Sequence, residues 1–134
     1  MRAIKFRAWD KVSKKFLHPW PNGFHILGET TCFDLIGMQL KERSPEKTTL
    51  EMLNDVIITQ FLEKKDCKAK EICEGDRVEF ETETGTVTGI IFMDTEAGCW
   101  SIDYGNGKGD SVYAIGCNTL TVIGNVFENP ELPL

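Results

Sequence analysis

Hydrophobic and polar positions alternate near the start of the chain. Ile4, Phe6 and Ala8 fall on one side of an extended segment, and Lys5, Arg7 and Trp9 on the other. A period of two with one apolar face predicts a half-buried strand over residues 2–9. Asp10 and Lys11 open a polar turn, and Phe16-Leu17 return as a second strand. Pro19-Trp20-Pro21-Asn22-Gly23 breaks any regular element, since proline lacks an N–H and Asn-Gly favours a turn. Phe33, Leu35 and Ile36 suggest another short strand. Ser44-Pro45-Glu46 has the form of a helix start, and Thr48 or Thr49 can equally cap a short helix. Leu50, Leu53 and Ile57 keep helical spacing, whereas Val56-Ile57-Ile58-Thr59 is a β-branched run that favours a strand. The reading is a helical turn near 45–54 and a strand near 56–62, with helix against strand left open across 45–62. A charged connector follows from Glu63-Lys64-Lys65-Asp66.

The pattern changes at residue 71. Glu74-Gly75-Asp76 is a turn, and Arg77 to Glu83 alternates again, with Val78 and Phe80 against Glu79, Glu81 and Glu83. Thr86 to Met93, Cys99 to Tyr104, Ser111 to Ile115 and Leu120 to Ile123 complete a set of five short strands separated by turn residues. That rhythm describes a small barrel or sandwich, and a barrel removes the exposed edges of short strands. The fold class is therefore mainly β, α+β overall: an N-terminal β-rich segment over 1–70 with one short helix at most, and a small barrel with a tail over 71–134.

The 134 residues suffice for one core without metals or disulfides, and 41% hydrophobic with 27% charged residues argues against wholesale disorder. No apolar run approaches the roughly 20 residues that span a bilayer, and the alternating N-terminus is no signal peptide, so the expected location is the cytoplasm, with no membrane partner. The cysteines, Cys32, Cys67, Cys73, Cys99 and Cys117, are odd in number and form no CxxC pair. They read as small apolar residues in a reducing compartment, with no metal and no cofactor expected. The net charge of −6 hides a split: residues 1–70 carry +4 and residues 71–134 carry −10. Such asymmetry suits either a basic face for nucleic acid or complementary faces within an assembly.

Candidate chemistry is sparse. His18 and His25 stand in no nucleophile motif, so no catalytic residue is named and no enzyme is expected. Gly105 to Gly109 looks like a phosphate loop but precedes a strand, so it reads as a hairpin. Glu79, Glu81 and Glu83 read as a solvated strand face. Glu74, Gly75 and Asp76 read as a structural turn motif, with Gly75 permitting the turn and Asp76 accepting backbone N–H groups. Lys5, Arg7 and Trp9 are the candidate nucleic-acid contact, because cations beside an aromatic can track phosphates and stack a base. A solvated basic edge strand is favoured over that role.

The opening Met1-Arg2-Ala3-Ile4-Lys5-Phe6-Arg7-Ala8-Trp9-Asp10, with Lys14-Lys15-Phe16 after it, resembles the start of proteins of the YopX family, which bacteriophages and prophages encode. Lys70-Glu71-Ile72-Cys73-Glu74-Gly75-Asp76-Arg77-Val78 resembles its Lys-Glu-Ile-aromatic-Glu-Gly-Asp-x-Val, and Val122 to Leu132 resembles its close. The family's usual Gln-Tyr-Thr-Gly-Leu is Gln60-Phe61-Leu62 here, without the Thr-Gly; its Asn-Gly before Lys-Glu-Ile is Lys68-Ala69, and its aromatic is Cys73. The resemblance implies a phage or prophage origin, an SH3-like barrel in the C-terminal half and a homo-oligomer, but no activity. The expected function is an accessory protein of the bacterial host cell's cytoplasm that assembles with itself or binds a host or phage protein. Weak nucleic-acid binding is the alternative.

Overall fold

The computed structural model describes residues 5–17, 24–25, 32–105, 108–116, 119–128 and 130. The expected breaker cluster 19–23 and the C-terminal leucines Leu132 and Leu134 lie outside them. The chain divides into two compact units, Met1–Gln60 and Phe61–Leu134. The boundary read from composition lies later, at 70/71.

In the first unit, β1 (Lys5–Asp10) is a central strand. β2 (Lys15–Phe16) and β3 (Phe24–His25) pair with it at its two ends, and the first half of β4 (Val56–Lys65) pairs along it with Ala8 opposite Ile58. The expected half-buried strand is buried from Arg7 through Asp10. One side carries Ala8, which packs with Leu17, Ile36, Leu40 and Met52. On the other, Arg7 and Trp9 lie against the Phe16 ring.

Residues expected to make a short strand near 33–36 belong instead to α1 (Cys32–Arg43). Ile36 and Leu40, one turn apart, are both buried, and Met38 to Arg43 is a run of good helix formers. α2 (Thr49–Leu53) starts at Thr48, whose side chain accepts from the Glu51 N–H while the Glu51 carboxylate accepts from the Thr48 N–H. That capping box decides between the two caps read from sequence, and strand follows from Val56. Helix and strand thus both occur within 45–62, in that order. Pro45 and Glu46 lie in a turn before the helix.

In the second unit the expected charged connector is strand as far as Lys65. The second half of β4 pairs with β5 (Glu71–Cys73) through a bulge, where Glu63 takes a φ of 63°. β6 (Asp76–Thr82), β7 (Gly85–Asp94), β8 (Cys99–Gly105), β9 (Lys108–Ser111) and β10 (Thr121–Asn125) form an antiparallel sheet in the order β10-β6-β7-β8-β9. The sheet curls into a half-barrel around Val78, Phe80, Ile91 and Ile102, with Leu62, Ile72, Val112 and Leu120 completing the core. The curl depends on a close approach at Gly89. A Cβ there would stand 2.5 Å from Ile102 Cγ2 and 2.9 Å from the Asp103 carbonyl oxygen.

The expected strand over 111–115 is mostly the short helix α3 (Val112–Ile115). Val112 and Ile115 both meet the core, which three-residue spacing on a helix allows, and Gly116 ends the turn at a φ of 93°.

Candidate functional site

The basic strand is less accessible than its sequence pattern predicts. Lys5 is half-buried, but Arg7 and Trp9 are 4% and 8% exposed. The Arg7 guanidinium lies 4.7 Å from the Phe16 ring centroid, and its Nε donates to Thr59 Oγ1 at 3.3 Å. The Trp9 ring meets Phe16 edge-on at 4.9 Å. The cause is the register. Trp9 faces Phe16 and Arg7 faces Thr59 across the two ladders, so one side of β1 brings Trp9 and Arg7 together on the Phe16 ring.

The end of β1 carries an ionic junction that the sequence reading missed. Asp10, 1% exposed, accepts from Val12 N, Ser13 Oγ and, at 2.6 Å, Arg43 Nε. Arg43 also donates to Ser44 Oγ and lies 3.7 Å from the Asp55 carboxylate. One guanidinium thereby joins the end of α1 to the β1–β2 turn and to the turn before β4. No local motif announces this, because Asp10 and Arg43 are far apart in the chain.

In the second unit, Glu74, Gly75 and Asp76 form a tight turn. Gly75 has a φ of 89°, its N–H donates to the Ile91 carbonyl, and its own carbonyl accepts from Val126 N. Asp76 Oδ2 accepts from Cys73 N at 2.8 Å. A second carboxylate works in the same way. Asp66 Oδ1 accepts from Lys68 N and Lys70 N, and Oδ2 accepts from Val122 N. Burial pushes its pKa up, but the N–H groups of Val122, Lys70 and Lys68 and the charge of Lys70 outweigh that and hold it below its ordinary value of 3.8. An Asp opening the Cys67-Lys68-Ala69 reversal between two strands was the available signal for Asp66.

Glu79 and Glu81 lie on β6, while Glu83 lies in the turn after it. β8 and β9 form a hairpin across the Gly105–Gly109 segment. His18 and the His25 side chain lie outside the described residues. Among the described residues no three His, Cys, Asp or Glu side chains converge as a metal site, and no helix is long and apolar enough to cross a membrane.

Two concave surfaces lie on this sheet. One, of about 380 Å³, is bordered by Asp94, Cys99, Ser101, Asp103 and Asp110. The other, of about 450 Å³, is lined by Phe80, Thr82, Thr84, Val87, Tyr104, Gly105 and Asp110. Phe80 and Tyr104 meet edge to face at its floor, 6.3 Å apart, and the Tyr104 hydroxyl donates to Asp110 Oδ2 at 2.8 Å. That hydrogen bond, then slight burial and the Asp110 charge, raise the Tyr104 phenol above its ordinary pKa of 10.0.

The YopX protein family model matches residues 5–133. The chain belongs to the YopX family. A crystal structure of protein EF1440 from Enterococcus faecalis is similar, at 20% identity and a TM-score of 0.54 over 96% of each chain. The YopX protein of Bacillus subtilis is similar at 16% identity and a TM-score of 0.54, over 97% of this chain and 95% of that one. At these identities the likeness extends to the fold. No curated protein matches this YopX-family chain.

Proposed function

We propose that this YopX-family protein is a phage- or prophage-encoded accessory protein of the bacterial cytoplasm that acts by associating with itself or with a protein partner. The observation that carries the reading is a set of exposed apolar side chains in the first unit. Leu35 and Met38 face outward from α1, Leu53 from α2, and Ile57 and Ile58 from β4, with Met38 64% exposed. Exposed apolar side chains favour association, with Ile57 and Ile58 on opposite faces of β4, and charge alone would add only rim contacts of about 0–1 kcal/mol each. The opposite charges of the two halves suit contacts between unlike halves of neighbouring copies.

Sedimentation at tens of micromolar protein tests this. The expected mass exceeds the 15.1 kDa monomer, survives moderate salt, and falls on Met38→Glu or Ile58→Glu. A monomeric mass at low salt ends the self-association reading, and affinity capture with the same two variants then tests the partner reading.

The nucleic-acid alternative ranks behind it. Arg7 and Trp9 would have to leave Thr59 and Phe16 before meeting a phosphate or base. We also read the second unit as an SH3-like barrel. In support, the last strand, β10, lies beside the first, β6, and the helical turn α3 precedes it.

A further inference from the structure

We infer that the groove lined by Phe80, Val87, Tyr104 and Asp110 is a docking site for an arginine- or lysine-bearing peptide segment of a partner protein. The inference deepens the partner half of the proposed function, on which it rests, and is independent of self-association through the first unit.

The groove is built by register. Phe80 and Val87 are cross-strand partners on the inner face of β6 and β7. Ile102 pairs with Ile91 on one side and Asp110 on the other, so Tyr104, two residues further along β8, shares the inner face with Asp110. Because β7 is pulled close to β8 at Gly89, the sheet curls enough for Phe80 and Tyr104 to touch although a whole strand separates them. The result is an aromatic and aliphatic floor of Phe80, Val87 and Tyr104. Thr82 and Thr84 form one wall and Asp110 the other, around about 450 Å³. That volume lies in the usual range for ligand sites, about 300–1,000 Å³.

The chemistry of the lining selects the occupant. Among the described residues that line the groove, none is basic. Thr82 Oγ1 is committed as a donor to the Gly85 carbonyl, and the Asp110 carboxylate accepts the Tyr104 O–H at Oδ2. Asp110 Oδ1 has no hydrogen-bond donor among the described residues. An aromatic edge and face beside a carboxylate fit a guanidinium or ammonium, which stacks on the ring and donates to the acid. Anionic ligands are repelled by this site and by the −10 charge of residues 71–134. An inward charge on an edge strand also guards against edge pairing. The peptide experiment separates the two roles.

The probe is an acetylated, amidated hexapeptide of alternating arginine and leucine, added to the ¹⁵N-labelled full chain, with a glutamate–leucine peptide as control. The expected result is saturable movement of the amide signals of residues 80–87 and 104–110 by the basic peptide only. Asp110→Asn should weaken binding at least fivefold, while Asp94→Asn leaves it unchanged; Asp110 borders both concave surfaces and Asp94 only the other, so the pair separates them. Asp110 is exposed, so the variant keeps the fold, and circular dichroism checks this. No saturable shift at millimolar peptide, or equal loss in both variants, overturns the site. A fall in sedimentation mass on Asp110→Asn places a second copy in the groove and also overturns the partner-peptide reading. Failure of peptide binding with sedimentation still responding to Met38→Glu leaves self-association standing.

Discussion

The Asp66 carboxylate accepts the backbone N–H of Val122, a residue 56 positions away, at 2.8 Å. The same side chain closes its own turn through Lys68 N and Lys70 N, so one acid ties the end of β4 to the start of β10. Asp66→Asn keeps one acceptor oxygen and turns the other into a donor facing an N–H. Loss of charge-assisted bonds at a buried site should cost about 2–3 kcal/mol.

The pH dependence follows from the direction of the shift. In the unfolded chain Asp66 titrates near its ordinary 3.8; in the folded chain it titrates lower. Its contribution is therefore fully present above 3.8 and disappears as pH falls through the folded value. Urea denaturation between pH 7 and pH 2 should show a shallower acid limb for Asp66→Asn than for the wild type. Parallel limbs would remove this carboxylate from the acid response.

Arg43 is the counterpart in the first unit. Arg43→Met leaves Asp10, 1% exposed, without its cation, and stranding a buried charge costs about 3–5 kcal/mol. Arg43→Lys should recover only part, because one ammonium cannot hold Asp10, Ser44 and Asp55 in the planar geometry of the fork. Melting curves of the two variants check the order, and equal stability of Arg43→Met and wild type would overturn it.

Ala69 closes the Asp66 turn with a φ of 64°. The backbone keeps the left-handed turn although the side chain disfavours it by about 1–2 kcal/mol. Glycine removes that strain but gains unfolded-state entropy, so Ala69→Gly should stabilise by about 0.5–1 kcal/mol. A lower denaturation midpoint for the variant would contradict the left-handed assignment.

Gly89→Ala should destabilise by about 1–3 kcal/mol, because the added methyl meets the Asp103 carbonyl, which is backbone and cannot swing away. Partial opening of the curl should also separate Phe80 from Tyr104. Denaturation gives the stability, and ring-proton contacts in an NMR spectrum report the separation.

Much of the second unit was legible because its elements are local. Alternation at Val78 and Phe80, turn residues at Gly75 and Gly98, and β-branched runs in β7 each act within a few residues. The Thr48–Glu51 box is legible for the same reason, since both partners lie within one turn of helix. Family membership was readable too, because three short segments keep their order.

Tertiary structure alone decided the rest. Phe33, Leu35 and Ile36 carry no period that separates strand from helix; the burial of Ile36 with Leu40 against Ala8 chose helix. Ser111 to Ile115 read as strand until Val112 and Ile115 had one core to meet. Lys5, Arg7 and Trp9 looked like an outward basic face, and the placement of Phe16 and Thr59 beside them made most of it interior. The physical reason is common to all three. Periodicity states which residues share a side, but burial depends on what arrives opposite that side, and those partners come from distant parts of the chain.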